Sequence, residues 1–328
     1  MQLKDVGEFQ FIHHIEEDTI YDANTLYKGI GDDCAVYKST VGYDQLISTD
    51  TMVEGIHFSF HHMEPYDVGY RLMTANISDI AAMGGVPRQV VLSVAVEEHT
   101  PLYVLDEIYR GVKAQCKRHS INLVGGDTVR TSGPMVWTVT IVGEVPRGKS
   151  VLRSGAQVGD IIGVTHYVGL AATGLDAIFH NCHGYPTAMT SHRRPIPQVE
   201  LGLALRSMGI HSMNDISDGL SSELYEIAES SHVCMMINGN AIPLHEETYR
   251  LAKRLGKSPL DYALYGGEDF QLLFTAPKSL IGTLLKLSNV TIIGEVLKGP
   301  PIVNMVGVDS VVYQLDKKGY NHFHESCY

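Results

Sequence analysis

Six short motifs in the 328-residue chain set carboxylates beside glycine: GIGDDCAV (29–36), STDTMVEGIHF (48–58), NISDIAAMGG (76–85), VGGDT (124–128), DISDGL (215–220) and YGGEDF (265–270). One such motif is ordinarily a turn or a helix cap, and Asp215, Ser217 and Asp218 could simply cap a helix that starts at 219. Six together point to a site, because glycine lets the backbone approach a ligand and loops at element ends present side chains to it. Converging carboxylates cannot hold phosphate unaided: two unit charges about 4 Å apart repel by roughly 4 kcal/mol at an effective dielectric of 20. Divalent cations are therefore implied. Oxygen-only donors, with the hydroxyls of Ser48 and Thr49 beside Asp50, suit magnesium. The chemistry such a set supports best is phosphoryl transfer, in which positioning and charge neutralisation supply most of the catalysis.

A competing nucleotide signal is GEVPRGKS (143–150), which fits the P-loop string letter for letter. A P-loop needs a helix directly after its lysine and serine. Here VLRSGAQVGDIIGVT follows, with Gly155 and Gly159 breaking any helix and an apolar run at 161–164 that reads as a strand. The string is expected to be a strand end and a linker turn. Arg147, Lys149 and Arg153 still bring three cations together there, so a phosphate contact from one of them stays open.

The elements that must position these motifs alternate irregularly. Strands are predicted at 45–51, 89–96 and 135–145, with INLVGGDT (121–128) a short strand ending in a glycine turn. Helices are predicted at 65–83 and at 101–119, where Leu105, Ile108, Val112 and Cys116 share a face. A second series begins with a strand at 160–165, then helices near 170–180, 198–208 and 219–231 and strands near 233–237, 270–275 and 290–296. This order predicts an α/β (α+β) protein of two domains, 1–148 and 149–328.

Charge and composition narrow the class. Hydrophobic residues make up 44% and charged residues 19%, as in a globular protein, and the formal charge of −12 disfavours nucleic acid and anionic membrane surfaces. The N-terminus carries no basic stretch followed by an apolar one, and no window is apolar for the roughly 18 residues of a membrane span, so a cytoplasmic location is expected. Five scattered cysteines without CxxC spacing predict free thiols. His180, Cys182, His183 and His192 match no metal spacing and read as a surface loop.

Taken in order, GIGDDCAV, STDTMVEGIHF, NISDIAAMGG, GGDTVR, RSGAQVGD, DISDGL, GGEDFQLLF and KGYNHF resemble the motifs of the thiamine-monophosphate kinases, within the aminoimidazole ribonucleotide synthetase superfamily. The resemblance runs from residue 7 to Phe323. It implies the two-domain fold of that superfamily: an N-terminal α/β domain that binds ATP and magnesium and dimerises through its sheet, and a C-terminal α/β domain closing over the active site. It further implies ATP-dependent phosphorylation of thiamine phosphate to thiamine diphosphate, with several magnesium ions and a homodimer. By motif position Asp33, Ser48, Thr49, Asp50, Asp79, Asp127, Asp215 and Asp218 would be metal ligands. Tyr109, Gly126, Asp127, Arg153 and Ser217 would bind ATP, and His57, Glu268 and Tyr320 would line the thiamine phosphate pocket. No residue is required as general base, because a phosphate monoester is already largely dianionic at neutral pH; Asp127, Asp218 and Arg153 would stabilise charge.

The pattern is broken at Phe270 and Gln271, where tyrosine and glutamate are usual, at His166 and Ala171, where glycine and serine are expected, and at Gln198 in place of arginine. Two alternatives stay open: another ATP-using member of the superfamily, or a magnesium- and nucleotide-binding module without turnover.

Overall fold

In the computed structural model, which describes residues 2–6, 8–30, 34–287, 289–307 and 310–319, the chain divides into two compact units. These are Met1–Ile80 with Gly85–Gly148, and Ala81–Gly84 with Lys149–Tyr328. The first carries α1 (Leu3–Val6), α2 (Glu8–Ile15), β1 (Leu26–Lys28), β2 (Val36–Tyr37), β3 (Tyr43–Val53), α3 (Pro65–Ala82), β4 (Val86–Val96), α4 (Leu102–His119), β5 (Asn122–Arg130) and β6 (Val136–Pro146). Strands β3, β6, β4 and β5 form one sheet in that order. Neighbours are antiparallel except β4 and β5, which run parallel because α4 carries the chain back between them.

Alternation along β4 and β6 sends Val90, Leu92 and Val94, with Trp137, Val139 and Ile141, to a buried face. The apolar stripe of α4 is buried as its spacing predicts, and Tyr109 meets Trp137 edge-on with ring centroids 5.5 Å apart. Phe11 of α2 closes the other side of Tyr109 at 5.8 Å. The opposite face of the sheet is exposed, with Ile47 74%, Val129 49% and Val91 37% accessible.

The second unit carries β7 (Ile161–Thr165), α5 (Leu170–Phe179), α6 (Pro186–Arg193), α7 (Val199–Met208), β8 (Ser212–Asp215), α8 (Leu220–Ser231), β9 (Cys234–Asn238), α9 (Glu246–Leu255), α10 (Pro259–Tyr265), β10 (Leu272–Ala276), α11 (Ile281–Leu284), β11 (Val290–Leu297), β12 (Val303–Val306) and β13 (Val312–Gln314). Its seven strands are ordered β13-β12-β9-β11-β7-β10-β8. Only β9 and β12 pair in parallel within this sheet. On one face Ile162, Val164, Leu273 and Met235 pack with Leu220, Leu224 and Leu264. On the other, Ile161, Phe274 and Met213 pack with Leu205 and Leu284.

Two expectations are corrected. The predicted surface loop around His180–His192 holds helix α6, and His192 is buried. The reason lies far away in sequence: Glu247, on α9, accepts the first amides of that helix, from Thr187 (3.3 Å) and Ala188 (2.8 Å). The glycine turn predicted at 125–126 lies inside β5, which continues to Arg130.

Candidate active-site residues and the relatives of the chain

Strand β3 presents its motif two ways. Ser48 and Asp50 lie on the half-buried side, while Thr49 is exposed and bonds the carbonyl of Val139 (2.9 Å) on the neighbouring strand. Ser48 donates its hydroxyl to the Asp79 carboxylate on α3, which joins the STDT and NISD motifs directly. Asp127 falls elsewhere. It pairs in register with Ser93, Ser93 with Thr138, and Thr138 with Thr51, whereas Asp50 pairs with Val139. Successive residues of a strand face opposite sides, so Asp127 belongs to the exposed face of the sheet and Asp50 to the helix-covered one. Gly126 has to be glycine: a β-carbon there would stand 2.0 Å from the Leu92 carbonyl oxygen.

His57 follows β3. Its Nδ1 accepts the backbone N–H of Val53 (3.0 Å), and its own carbonyl accepts from the buried Arg71 guanidinium (3.0 Å). With Nδ1 an acceptor, the neutral imidazole carries its proton on Nε2. Tyr109 is held in the aromatic core, with burial raising its hydroxyl pKa. It also lines a cleft of about 560 Å³ with Tyr21, Tyr66, Arg110, Lys113 and Lys117. Asp33 lies outside the described residues.

In the second unit DISDGL runs from the end of β8 into α8. Asp215 is buried; Ser217 and Asp218 are half-buried. The α8 N-cap is Gly219, which has no side chain to offer. Asp215, Ser217 and Asp218 surround a residue that the motif reading missed, Glu223. Its carboxylate accepts from Asn214 Nδ2, from the Asp218 backbone N–H (3.2 Å) and from the Ser217 hydroxyl (3.4 Å). Arg153 in turn donates Nε to Asn214 Oδ1 at 3.0 Å. Burial, then Asp215, push Glu223 up to about 8, against the pull of the Asp218 amide and of Arg153. The available signal was an acid in the first turn of the helix that follows DISDG.

The GGED loop crosses this one. The N–H of Glu268 donates to the Ser217 carbonyl (2.7 Å) and that of Phe270 to the Ile216 carbonyl (2.9 Å), while the Ile216 N–H reaches Gln271 O (2.7 Å). A β-carbon at Gly267 would stand 2.3 Å from the Ser217 carbonyl oxygen, so only glycine fits the crossing. Glu268 is half-buried, 4.0 Å from His192 Nδ1. Its neighbour Asp269 is turned inward and caps α5, accepting from the backbone of Gly169 and of Ala171 (2.9 Å). Burial pushes that carboxyl up to about 7. Tyr320 lies outside the described residues.

Among the described residues no three His, Cys, Asp or Glu side chains come close enough to form a metal cage by themselves. The donors are nevertheless all oxygen, and a serine hydroxyl beside a carboxylate fits magnesium, which keeps waters and binds through one or two carboxylates plus substrate phosphate. No helix follows GEVPRGKS: β6 ends at Pro146 and the next element is β7. Among the described residues no helix is long and apolar enough to cross a membrane.

Two family models match the chain: AIR synthase related protein, N-terminal domain, over residues 31–145, and AIR synthase related protein, C-terminal domain, over 157–306. The thiamine-monophosphate kinase of Bacillus subtilis (strain 168) is 36% identical, across 97% of this chain and 100% of its own length. The crystal structure of the thiamine-monophosphate kinase from Stenotrophomonas maltophilia K279a superposes with a TM-score of 0.82 at 31% identity, covering 92% of this chain and 96% of that one. AaThiL complexed with AMPPCP and TMP superposes at 0.79, also at 31% identity, covering 98% and 99%.

Proposed function

The chain belongs to the thiamine-monophosphate kinase family, and on that premise we propose that it transfers the γ-phosphoryl group of ATP to thiamine phosphate, giving thiamine diphosphate and ADP. The observation that carries this reading is the full-length likeness to kinases of that name, one of them seen with an ATP analogue and TMP together.

A phosphate oxygen of thiamine phosphate attacks the γ-phosphorus in line, and the bond to the β,γ-bridging oxygen breaks with its electron pair leaving on ADP. The nucleophile needs no base, since its second pKa lies near 6. We assign magnesium ions to Asp33, Ser48, Thr49, Asp50, Asp79, Asp127, Asp215 and Asp218, which the sequence motifs and their oxygen chemistry support; Thr49 and Asp127, on the opposite face of the first sheet from Ser48 and Asp50, are assigned to a separate ion. Magnesium, when bound, neutralises charge on the transferring phosphates. Arg153, Ser217, Gly126 and Tyr109 are assigned to ATP, and Arg153 adds fixed positive charge. His57, Glu268 and Tyr320 are assigned to thiamine phosphate; the Nε2 proton of His57 suits a phosphate oxygen, and Glu268 suits the cationic ring system.

A homodimer is proposed through the exposed face of the first sheet, supported by the accessible Ile47, Val91 and Val129 there. The charge of −12 speaks against nucleic acid or anionic membrane as a partner. ATP is supplied inside cells, which supports a cytoplasmic place of action. Incubation with ATP, magnesium and thiamine phosphate, read by mass for thiamine diphosphate, tests the reading; ADP release without that product would mean a different acceptor.

A further inference from the structure

Arg153, Ser217 and Asp218 come from two motifs some sixty residues apart, yet one series of hydrogen bonds with a buried centre at Asn214 and Glu223 joins them. We infer that Asn214 and Glu223 are positioning residues for the nucleotide half of the reaction: they orient Arg153, Ser217 and Asp218 as a unit, without touching substrate. The inference rests on the kinase reading for what those three residues bind.

With Glu223 ionised, the direction of every hydrogen bond in the series is fixed by chemistry. A guanidinium has donors only, so Arg153 Nε must meet the amide oxygen of Asn214 (3.0 Å). The Asn214 nitrogen is thereby turned toward Glu223, where it donates to Oε2. The other carboxylate oxygen receives the Asp218 backbone N–H (3.2 Å) and the Ser217 hydroxyl (3.4 Å). Asn214 and Glu223 are 2% and 3% exposed, so water cannot stand in for a lost partner. The change Glu223→Gln would offer one acceptor oxygen and an amino group to three donors. The change Asn214→Asp would set two carboxylates face to face. Making both changes together restores every donor and acceptor: the carboxylate now on β8 would accept from Arg153 and from the amide now on α8, whose oxygen would keep Ser217 and Asp218.

The test compares Glu223→Gln, Asn214→Asp and the double exchange in the full chain. Each is measured for binding of a non-hydrolysable ATP analogue with magnesium, for KM of both substrates and for thermal melting. Each single change is expected to weaken nucleotide binding by about tenfold or more, raising KM for ATP and leaving KM for thiamine phosphate within about twofold. The double exchange is expected to recover most of the nucleotide affinity. Nucleotide binding unchanged in the singles, a double no better than the worse single, or equal rises in both KM values would overturn the inference. If the singles fail to fold, recovery of fold and affinity in the double supports it, and a double that also fails to fold, or folds without affinity, refutes it. Should wild type make no thiamine diphosphate, the kinase reading falls, while the binding series still decides whether the two side chains position the nucleotide contacts.

Discussion

Replacing Asp269 by asparagine should change how stability depends on pH, and the sign of that change is fixed by the surroundings. Helix α5 starts after Gly169, which has no side chain to cap it, and Asp269 supplies the missing acceptor from a hundred residues away. The carboxyl is 2% exposed, so removing it altogether in Asp269→Ala would strand two buried amides, at about 1–3 kcal/mol each. The asparagine isostere keeps one acceptor and does not titrate. Burial raises the folded-state pKa of Asp269 from an ordinary 3.8 to about 7, so the folded chain holds this proton more tightly than the unfolded one. Its contribution is therefore complete below pH 3.8 and is lost as the pH rises through about 7. Urea unfolding followed by far-ultraviolet circular dichroism at stepped pH should show wild type losing ground to Asp269→Asn across that window. The slope can reach about 1.4 kcal/mol per pH unit. A difference that stays flat, or grows in favour of wild type as the pH rises, would refute the reasoning, because it would mean that the backbone amides outweigh burial.

Asp50→Asn and Asp127→Asn should each abolish thiamine diphosphate formation with the melting temperature nearly unchanged, since neither carboxylate is fully buried; near-normal turnover in either purified variant would sink the magnesium assignment. Lys149→Ala should be mild and Arg153→Ala severe in kcat/KM, because Arg153 is tied to Asn214 whereas Lys149 stands in a strand-to-linker turn. The reverse ranking would revive a P-loop role for GEVPRGKS.

Much of this was legible along the chain. Long strands and amphipathic α4 follow from period-two and helical spacing, and DISDG and GGED fall between elements as glycine-flanked acids should, whereas STDT, NISD and GGDT lie inside β3, α3 and β5. What escaped was anything decided by a partner remote in sequence. Helix α6 is secured by Glu247, Asp269 beside Glu268 turns inward to cap α5, and Glu223 gains meaning only beside Asn214. Close backbone approaches hide equally well: GGDT reads as a turn because nothing local shows that Gly126 has to clear the Leu92 carbonyl. The departures from the family pattern also acquire neighbours. His166 adopts φ 49°, where the expected glycine would sit at less cost, and Gln198, itself a departure, donates to the Ile196 carbonyl (2.8 Å). Gln271 accepts from Thr165 (3.0 Å), so it is absorbed into the core beside β7.

The crossing of the DISDG and GGED loops carries a thermodynamic consequence. Ordering a loose loop on binding costs about 1–2 kcal/mol for each residue fixed. These two loops extend the pairing of β8 with β10 past the ends of the strands, through the amides of Ile216, Glu268 and Phe270. That entropy is surrendered during folding, before any ligand arrives. Association with Ser217, Asp218 or Glu268 should therefore draw its heat from desolvation and charge rather than from loop ordering, and its rate from encounter rather than from waiting for a rearrangement.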